Sequence, residues 1–515
     1  MNVRIQPDGD GPGGTHAPAG GGRRTSRRTG PDDTPPSDRQ LQGGHPTAAR
    51  IHQPGAGRQQ TTRRPDPPAP GPRPRSAPHP LRVESLRGFA PWAGAGLLLA
   101  LAWVLAASSA QWQGSWGTTT MKLSTAAGII GAPFALAAGA WQGGRECRLR
   151  MTELRASTVR TPLVQLLTAA LPLACWLAAA YLTATAGALL ACAPYASAGG
   201  PMPLVHAGTA LSLAACAVLG HTAGRVAPFR LTAPVLAVCG YVVAGITTNH
   251  RSDLRYLTFA PVGFLGDAKL AVWWYPALSA AWVVGLAAAA VLAQAAYRRA
   301  GALLPLAVAL VAAVLLVRTG DGLLRDNPLI HRQVCDDSTT PRVCVNATHP
   351  GLLPEVTHAL SDLTGRLKGV QNLPVRFEDA GRSPRQDEAQ LPILTPFGWN
   401  AVRGKVTDPE RYAWEAVQAL VRQDCGELPS ERIQVTDEAV LRWLAPDSVS
   451  EGIREEYVAQ ARQHGDTEEL ARFRAQDEAY AHLTAMTDGE RRTWLSGYFA
   501  TATQCDPKPS EVPSL

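Results

Sequence analysis

Apolar residues along this chain gather into seven long runs, at roughly 89–109, 124–141, 162–190, 203–222, 230–248, 275–296 and 301–318. Crossing a hydrocarbon core of about 30 Å takes about 20 apolar residues in a helix. A helix is also the one open-ended structure that satisfies its own backbone in lipid. The runs therefore predict an all-α polytopic membrane bundle of about seven transmembrane helices over 89–319. The third run is long enough to tilt, or to bend at Pro172. Polar sequence flanks the bundle on both sides, as a tail over 1–88 and a domain over 320–515.

The loops between the runs predict an orientation. Arg145, Arg148, Arg150, Arg155 and Arg160 follow the second run, Arg225 and Arg230 the fourth, and Arg298 and Arg299 the sixth. The alternate loops carry only Lys122, then no basic residue over 193–202, then Arg251, Arg255 and Lys269. Short loops rich in Lys and Arg mark the cytoplasmic side. The N-terminus is thus expected inside the cell, and an odd number of crossings puts the C-terminal domain outside. Trp112, Trp116, Trp273, Trp274 and Tyr275 then fall at the outer interface, with Trp92 and Trp141 near the inner one.

The 320–515 segment has the pattern of an α+β domain. Val343-Cys344-Val345 and Val375-Arg376-Phe377 read as short strands, whereas Leu352, Val356, Leu360, Leu363 and Leu367 recur at helical spacing. Asp408-Pro409 marks a helix start whose apolar face is Tyr412, Ala416, Val417, Leu420 and Val421. Thr436-Asp437-Glu438 and Asp466-Thr467-Glu468-Glu469 read as caps of two more helices. Thr487-Asp488-Gly489-Glu490 is a capping box ahead of Trp494, Leu495, Tyr498 and Phe499. The Pro-rich stretch 380–400 between them reads as a surface loop.

Composition changes this picture only at the tail. The chain of 515 residues has a formal net charge of +7, much of it from the arginines of 1–88. That segment is basic, rich in Pro and Gly, and too poor in apolar residues to bury a core, so it is expected to be disordered. Its arginines have no aromatic interleaving, so nucleic acid is not an expected partner. The other reading is a true start near Val83, which needs a non-ATG codon because the next Met is Met121. No cleavable signal peptide is expected, since the first apolar run is too long and is followed by more.

Candidate chemistry is sparse. Cys335, Cys344, Cys425 and Cys505 in an exported domain suggest two disulfides. His331, Cys335, Cys344 and His349 also permit a tetrahedral metal site, but their spacing fits no common zinc motif, and a Cys335–Cys344 bridge is the favoured reading. Cys425 and Cys505 form the second expected pair. No G-x-x-x-x-G-K-[ST], H-E-x-x-H or G-x-S-x-G occurs, so the chain is expected to be neither an enzyme nor a binder of a cofactor or metal. Glu455-Glu456 and Glu468-Glu469 are adjacent on helices and point apart. His206 and His221 lie near span ends, where solvation is cheap, and no carboxylate falls inside a run.

The second-to-third loop is the most suggestive segment. Met151 and Leu154 sit among Arg145, Arg148, Arg150 and Arg155 at spacing suited to a short helix on the membrane surface. The stretches Ala90-Pro91-Trp92, Gln111-Trp112-Gln113-Gly114-Ser115-Trp116, Trp141-Gln142-Gly143-Gly144-Arg145-Glu146 and Met151-Thr152-Glu153-Leu154 resemble actinobacterial membrane proteins of the ABC-2 type permease class. The resemblance covers the first six runs. It implies a permease-like subunit that relies on a separate ABC ATPase, works as a homo- or heterodimer, and docks the ATPase at the 142–161 loop. It also implies re-entrant helices before the sixth span, where 249–274 lies. The seventh run and the large C-terminal domain depart from that pattern, and the domain calls for an extracytoplasmic ligand. The alternative is a membrane-anchored extracytoplasmic binding or sensor protein without transport activity.

Overall fold

The structure is a computed structural model and describes residues 88–149, 160–249, 252–259, 266–379, 381–382, 384–385, 387–395, 397–422, 430–504, 507–508 and 510–515. The described residues fall within one compact unit, Ser76–Leu515. That unit holds two large hydrophobic cores, one among the long apolar helices and one in the C-terminal segment.

The helices of the bundle are α1 (Ala90–Ala107), the short α2 (Ser109–Trp112), α3 (Trp116–Ala126), α4 (Ala132–Arg148), α5 (Pro162–Cys192), α6 (Pro203–Val226), α7 (Thr232–Asn249), α8 (Tyr275–Ala295) and α9 (Leu303–Thr319). A π-helical turn, Ala127–Gly131, joins α3 to α4 into one continuous rod. Among the described residues, six helical segments are long and apolar enough to cross a membrane. The expected fifth span is the exception. Arg230 and Leu231, counted in the apolar run, lie in the turn before α7, and the apolar part of the helix is Thr232–Thr247. The helix itself continues to Asn249.

Helix ends alternate between two faces of the bundle. α3 starts beside the C-terminal domain, and α4 ends at the opposite face, where a Cβ at Gly143 would meet the His221 carbonyl at 2.2 Å. α6 therefore runs away from the domain. α8 starts again at the domain face, where a Cβ at Gly208 would lie 2.9 Å from the Pro276 carbonyl. The chain between α6 and α8, α7 included, returns from one face to the other.

The closest helix pair is α4 with α6. Gly139, Gly143, Gly220 and Gly224 face each other across it, and a Cβ at any of them would fall 2.1–2.2 Å from a carbonyl oxygen of the facing helix. Spacing of glycine four residues apart on both helices allows this approach in lipid, where small residues let backbones meet.

The segment ahead of α8 differs from the re-entrant helices expected there. Its described part holds a 3₁₀ turn, Asp253–Leu257, and a strand, β1 (Lys269–Ala271), that pairs antiparallel with β2 (Leu324–Asp326) just after α9. Pairing satisfies the backbone of both segments. It is reinforced by ion pairs of Lys269 with Asp326 and of Arg255 with Asp321. The aromatic residues also divide. Trp92, Trp141 and Trp273 are exposed, but Trp112 is buried with its indole donating to the Leu105 carbonyl at 2.9 Å, and Tyr275 is buried too.

The C-terminal domain is built on a four-stranded sheet of β3 (Gln333–Asp336), β4 (Arg342–Asn346), β5 (Arg376–Glu378) and β6 (Glu388–Gln390) in that spatial order. β3 and β4 are antiparallel, and β4, β5 and β6 are parallel. A small hairpin, β7 (Ala401–Val402) with β8 (Lys405–Val406), follows. Helices α10 (Leu353–Ala359), α11 (Ser361–Arg366), α12 (Pro409–Gln418), α13 (Glu431–Leu444), α14 (Ser448–His464), α15 (Thr467–Ala485) and α16 (Asp488–Phe499) complete it. Val343, Val345, Phe377, Leu363, Tyr412 and Tyr498 are among its buried core.

Three sequence expectations shift here. The 352–367 helix breaks at Leu360 into α10 and α11. Thr436 is no cap: it lies inside α13, its hydroxyl donating to the Arg432 carbonyl at 2.9 Å, and the helix starts after Ser430. The stretch 380–400 contributes β6 to the sheet rather than only a loop. The Asp408, Asp466 and Thr487 caps all form, Thr487 with its full capping box.

Candidate functional site: a buried polar column beneath the C-terminal domain

The start of α3 carries an unusual run of hydroxyls, Thr118, Thr119 and Thr120, after the N-cap Ser115, all of them buried. The Ser115 hydroxyl oxygen accepts the Thr118 N–H at 3.0 Å, and Thr119 donates to the Ser115 carbonyl at 2.8 Å. These local bonds satisfy the first turn and let a polar segment enter an apolar bundle.

Above this helix start sits Asp267, from the loop before β1. The Ser115 hydroxyl lies 2.5 and 2.6 Å from its two carboxylate oxygens. Its backbone presses on Gly117, where a Cβ would meet the Asp267 carboxylate and the adjoining backbone at 2.4–2.6 Å. Asn327, just past β2, donates to the Asp267 carbonyl at 2.8 Å. Burial pushes the Asp267 carboxyl above the usual carboxylate range, against the opposing pull of the Ser115 hydroxyl, nearby His349 and the Gly117 N–H.

Below Ser115 the polar groups continue inward. The Thr120 hydroxyl is 3.5 Å from His206 Nε2, and the Tyr181 hydroxyl is 3.1 Å from His206 Nδ1. Thr185, Thr209 and Ser124 surround the Tyr181 hydroxyl. The Ser212 hydroxyl is buried without a hydrogen-bond partner. The result is a column of neutral hydroxyls and one imidazole through the domain-side half of the bundle, capped by a carboxylate. Such groups can relay a proton or solvate a small polar solute, but offer no fixed charge below Asp267.

The domain closes over this column at several points. Phe397 is buried against Gly114, where a Cβ would lie 2.8 Å from its ring. Arg403 donates to Gln113 Oε1 at 2.6 Å and to the Ser109 hydroxyl at 3.2 Å, and the Gly351 N–H donates to the Ser197 hydroxyl at 2.9 Å. A small cavity of about 210 Å³ at this junction is lined by Gly114, Tyr195, Ser197, His349, Phe397 and Arg403, among others.

Of the residues singled out in the sequence, Cys335 and Cys344 stand opposite each other on β3 and β4 and are joined in a disulfide. His349 bonds instead to Asp379, Nε2 to Oδ2 at 2.5 Å, and to the Thr348 hydroxyl at 2.9 Å through Nδ1. Among the described residues no group of His, Cys, Asp and Glu is arranged to hold a metal. His206 and His221 are buried, at 3% and 0% exposure, rather than solvated at span ends, because the facing helices close over both. Arg145 is exposed at the end of α4, while Arg148 stacks over the Trp141 ring at 5.2 Å and donates to the Pro228 carbonyl at 3.4 Å. Arg150, Met151, Leu154, Arg155, Cys425 and Cys505 lie outside the described residues.

Sequence reasoning missed Asp267, Ser115 and Tyr181. The signal for the column was the Ser-Trp-Gly-Thr-Thr-Thr stretch at 115–120, too polar to be counted in the second run. Asp267 had no signal, since only the fold brings it to Ser115. No protein-family model matches this chain, and neither a curated protein nor a solved structure is similar to it.

Proposed function

We propose that this chain is the permease-like membrane subunit of an ABC-type transport complex, paired with a separate ATPase and acting as a homo- or heterodimer. In this reading α7 crosses as the fifth of seven spans, the N-terminus is cytoplasmic, and the C-terminal domain and its Cys335–Cys344 disulfide lie outside the cell. The observation that carries the reading is the buried polar column from Ser115 to Tyr181 and His206. Leaving a buried hydroxyl unpaired costs about 1–3 kcal/mol, and lipid-facing anchors have no use for it. An ionisable residue inside a membrane helix points to a functional role, and His206 is such a residue in this column.

The rod of α3 and α4 gives a mechanical route. It runs from the Asp267 clamp at the domain face to Arg145 and Arg148 at the other, beside the loop proposed to dock the ATPase. The π-helical turn at Ala127–Gly131 interrupts it midway, and such turns are frequent at functional sites.

A second reading, a membrane-anchored extracytoplasmic binding or sensor protein, is favoured by one observation. The domain is fastened to the bundle through Phe397, Arg403 and Gly351, and through Asn327 to Asp267, as a signalling module would be.

Purification from native membranes, followed by mass spectrometry and ATPase assay, separates the two. The permease reading expects an ATP-binding cassette ATPase to co-purify, with its hydrolysis lowered severalfold by Arg145→Glu and by Tyr181→Phe. Purification without an ATPase, or hydrolysis indifferent to both variants, leaves the sensor reading. Protease protection of the C-terminal domain in intact spheroplasts would overturn both.

A further inference from the structure

The connection between β6 and β7 leaves two large apolar side chains in the open. Trp399 is 78% exposed and Ile393 67%. They are held together, because the Asn400 side-chain amide donates to the Ile393 carbonyl at 3.1 Å and the Thr407 hydroxyl donates to the Trp399 carbonyl. The same loop is fastened to α2, the short helix that follows the domain-side end of α1. Gly398, at φ +101°, lies so close to Ala110 and Gln111 that an added Cβ would sit 3.2 Å from the Gln111 side chain. Arg403 reaches Gln113 and Ser109 from the adjoining hairpin.

α1 is a peripheral helix whose outward face exposes Leu99 and Trp103, at 71% and 76%. Ile393 and residues 397–399 are therefore seated where that apolar face ends, with the apolar pair uncovered. Indole rings prefer the boundary between headgroups and acyl chains, where one edge is apolar and the other wet. From this continuity we infer that Ile393 and Trp399 insert into the interfacial layer of the bilayer, so that the C-terminal domain rests on lipid beside α1 as well as on the bundle. The partner is a phospholipid surface. The inference depends on the reading that the bundle spans a bilayer.

Photo-crosslinking in phospholipid nanodiscs tests it on the full chain. p-Benzoylphenylalanine is placed at Trp399, at Trp103 as the lipid-facing reference, and at the 55%-exposed Tyr457, whose helix α14 packs on α15 within the domain. After irradiation, mass spectrometry reads covalent phospholipid adducts. The expected result is adduct at 399 comparable to 103 and severalfold above 457. Adduct at 103 but not at 399 overturns the inference while leaving the bundle in the membrane, and so does equal adduct at 399 and 457. Adduct at neither 103 nor 399 overturns the membrane reading and this inference together. If the 399 variant does not accumulate, the same probe at Ile393 separates the same outcomes.

Discussion

The bundle and the C-terminal domain bury polar groups in opposite ways. In the domain, Glu378 and Glu388 are almost fully buried yet each is met by guanidinium groups: Arg376 and Arg382 bridge both, at 2.5–2.9 Å, and Arg385 adds to Glu388. Asp437 is likewise held by Arg422 and by the Tyr498 hydroxyl at 2.7 Å. The arginines around the two glutamates stay partly solvated, so the charge is shared with water at the rim. Within the bundle the described buried polar groups are hydroxyls, amides and imidazoles, and the Ser212 hydroxyl has no partner. A water-facing domain can hold charge by pairing it at its edge, whereas in lipid there is no rim. The buried polar groups described there are the neutral ones.

The largest effect should come from breaking the packing that lets the bundle hold its column. Gly139→Leu drives a side chain into the Ala217 carbonyl, 2.1 Å from where its Cβ would stand, with backbone rather than a movable side chain in the way. Overpacking costs about 1–3 kcal/mol in ordinary cores and more where backbone must shift. The expected outcome is loss of folded protein in detergent, seen as a collapsed gel-filtration profile. The same substitution at Gly187, which has nothing within 4 Å, should be tolerated.

Next is the charge cluster of the domain. Glu388→Gln removes the anion shared by three arginines and should destabilise the domain by about 2 kcal/mol, toward the low end for charged hydrogen bonds because the arginines are half-exposed. Hydrogen bonding from Arg382 is the main cause holding the Glu388 carboxyl below its usual value of 4.5, with the Arg385 N–H and Arg376 adding to it. The linkage follows in sign: the stabilisation is complete above pH 4.5 and is lost as the pH falls toward the depressed value. Thermal melts should show this acid loss in the wild type and not in Glu388→Gln.

Asp267 stands at the boundary of the two regions and should show the opposite slope. Its carboxyl is raised above 3.8 chiefly by burial, so the folded state binds the proton more tightly than the unfolded chain. Its contribution is then most favourable at low pH and declines as the pH rises from 3.8 through the raised value. Asp267→Asn removes that slope. The favourable position of an anion at the start of α3 works against this, but burial is the larger influence. The variant should therefore melt slightly higher than the wild type at pH 7 and no higher at pH 4. A variant that melts lower at pH 7 would show that the helix end and Ser115 outweigh burial.

How much of this contrast can be read in the sequence differs between the regions. The spans at 162–190, 203–222 and 275–296 coincide with α5, α6 and α8 to within a few residues, because hydropathy and length are local properties. The second span reads short at 124–141 because Thr118, Thr119 and Thr120 score as polar, although two of them return their hydrogen bonds to the preceding turn. The glycines at 139, 143, 220 and 224 were visible, but their pairing is a tertiary fact. In the domain, caps such as Thr487 are legible because both partners lie within one turn. The Glu388 cluster and the Asp267 clamp join residues from separate segments, and no local pattern carries them.

The smallest effect is the most discriminating. Ser212 lies inside the bundle with a hydroxyl that has no hydrogen-bond partner. If this were a defect of packing, Ser212→Ala would relieve an unpaired polar group and leave everything else unchanged. Relief of that kind is worth about 1 kcal/mol, the low end of the cost of an unpaired buried hydroxyl. The column reading predicts the same slight gain in melting temperature together with a loss of ATPase stimulation in the reconstituted complex. Stability and activity then move in opposite directions, as expected where a site gives up stability for function. A gain in both, or a loss in both, would make the bundle's polar groups no different in kind from those of the domain.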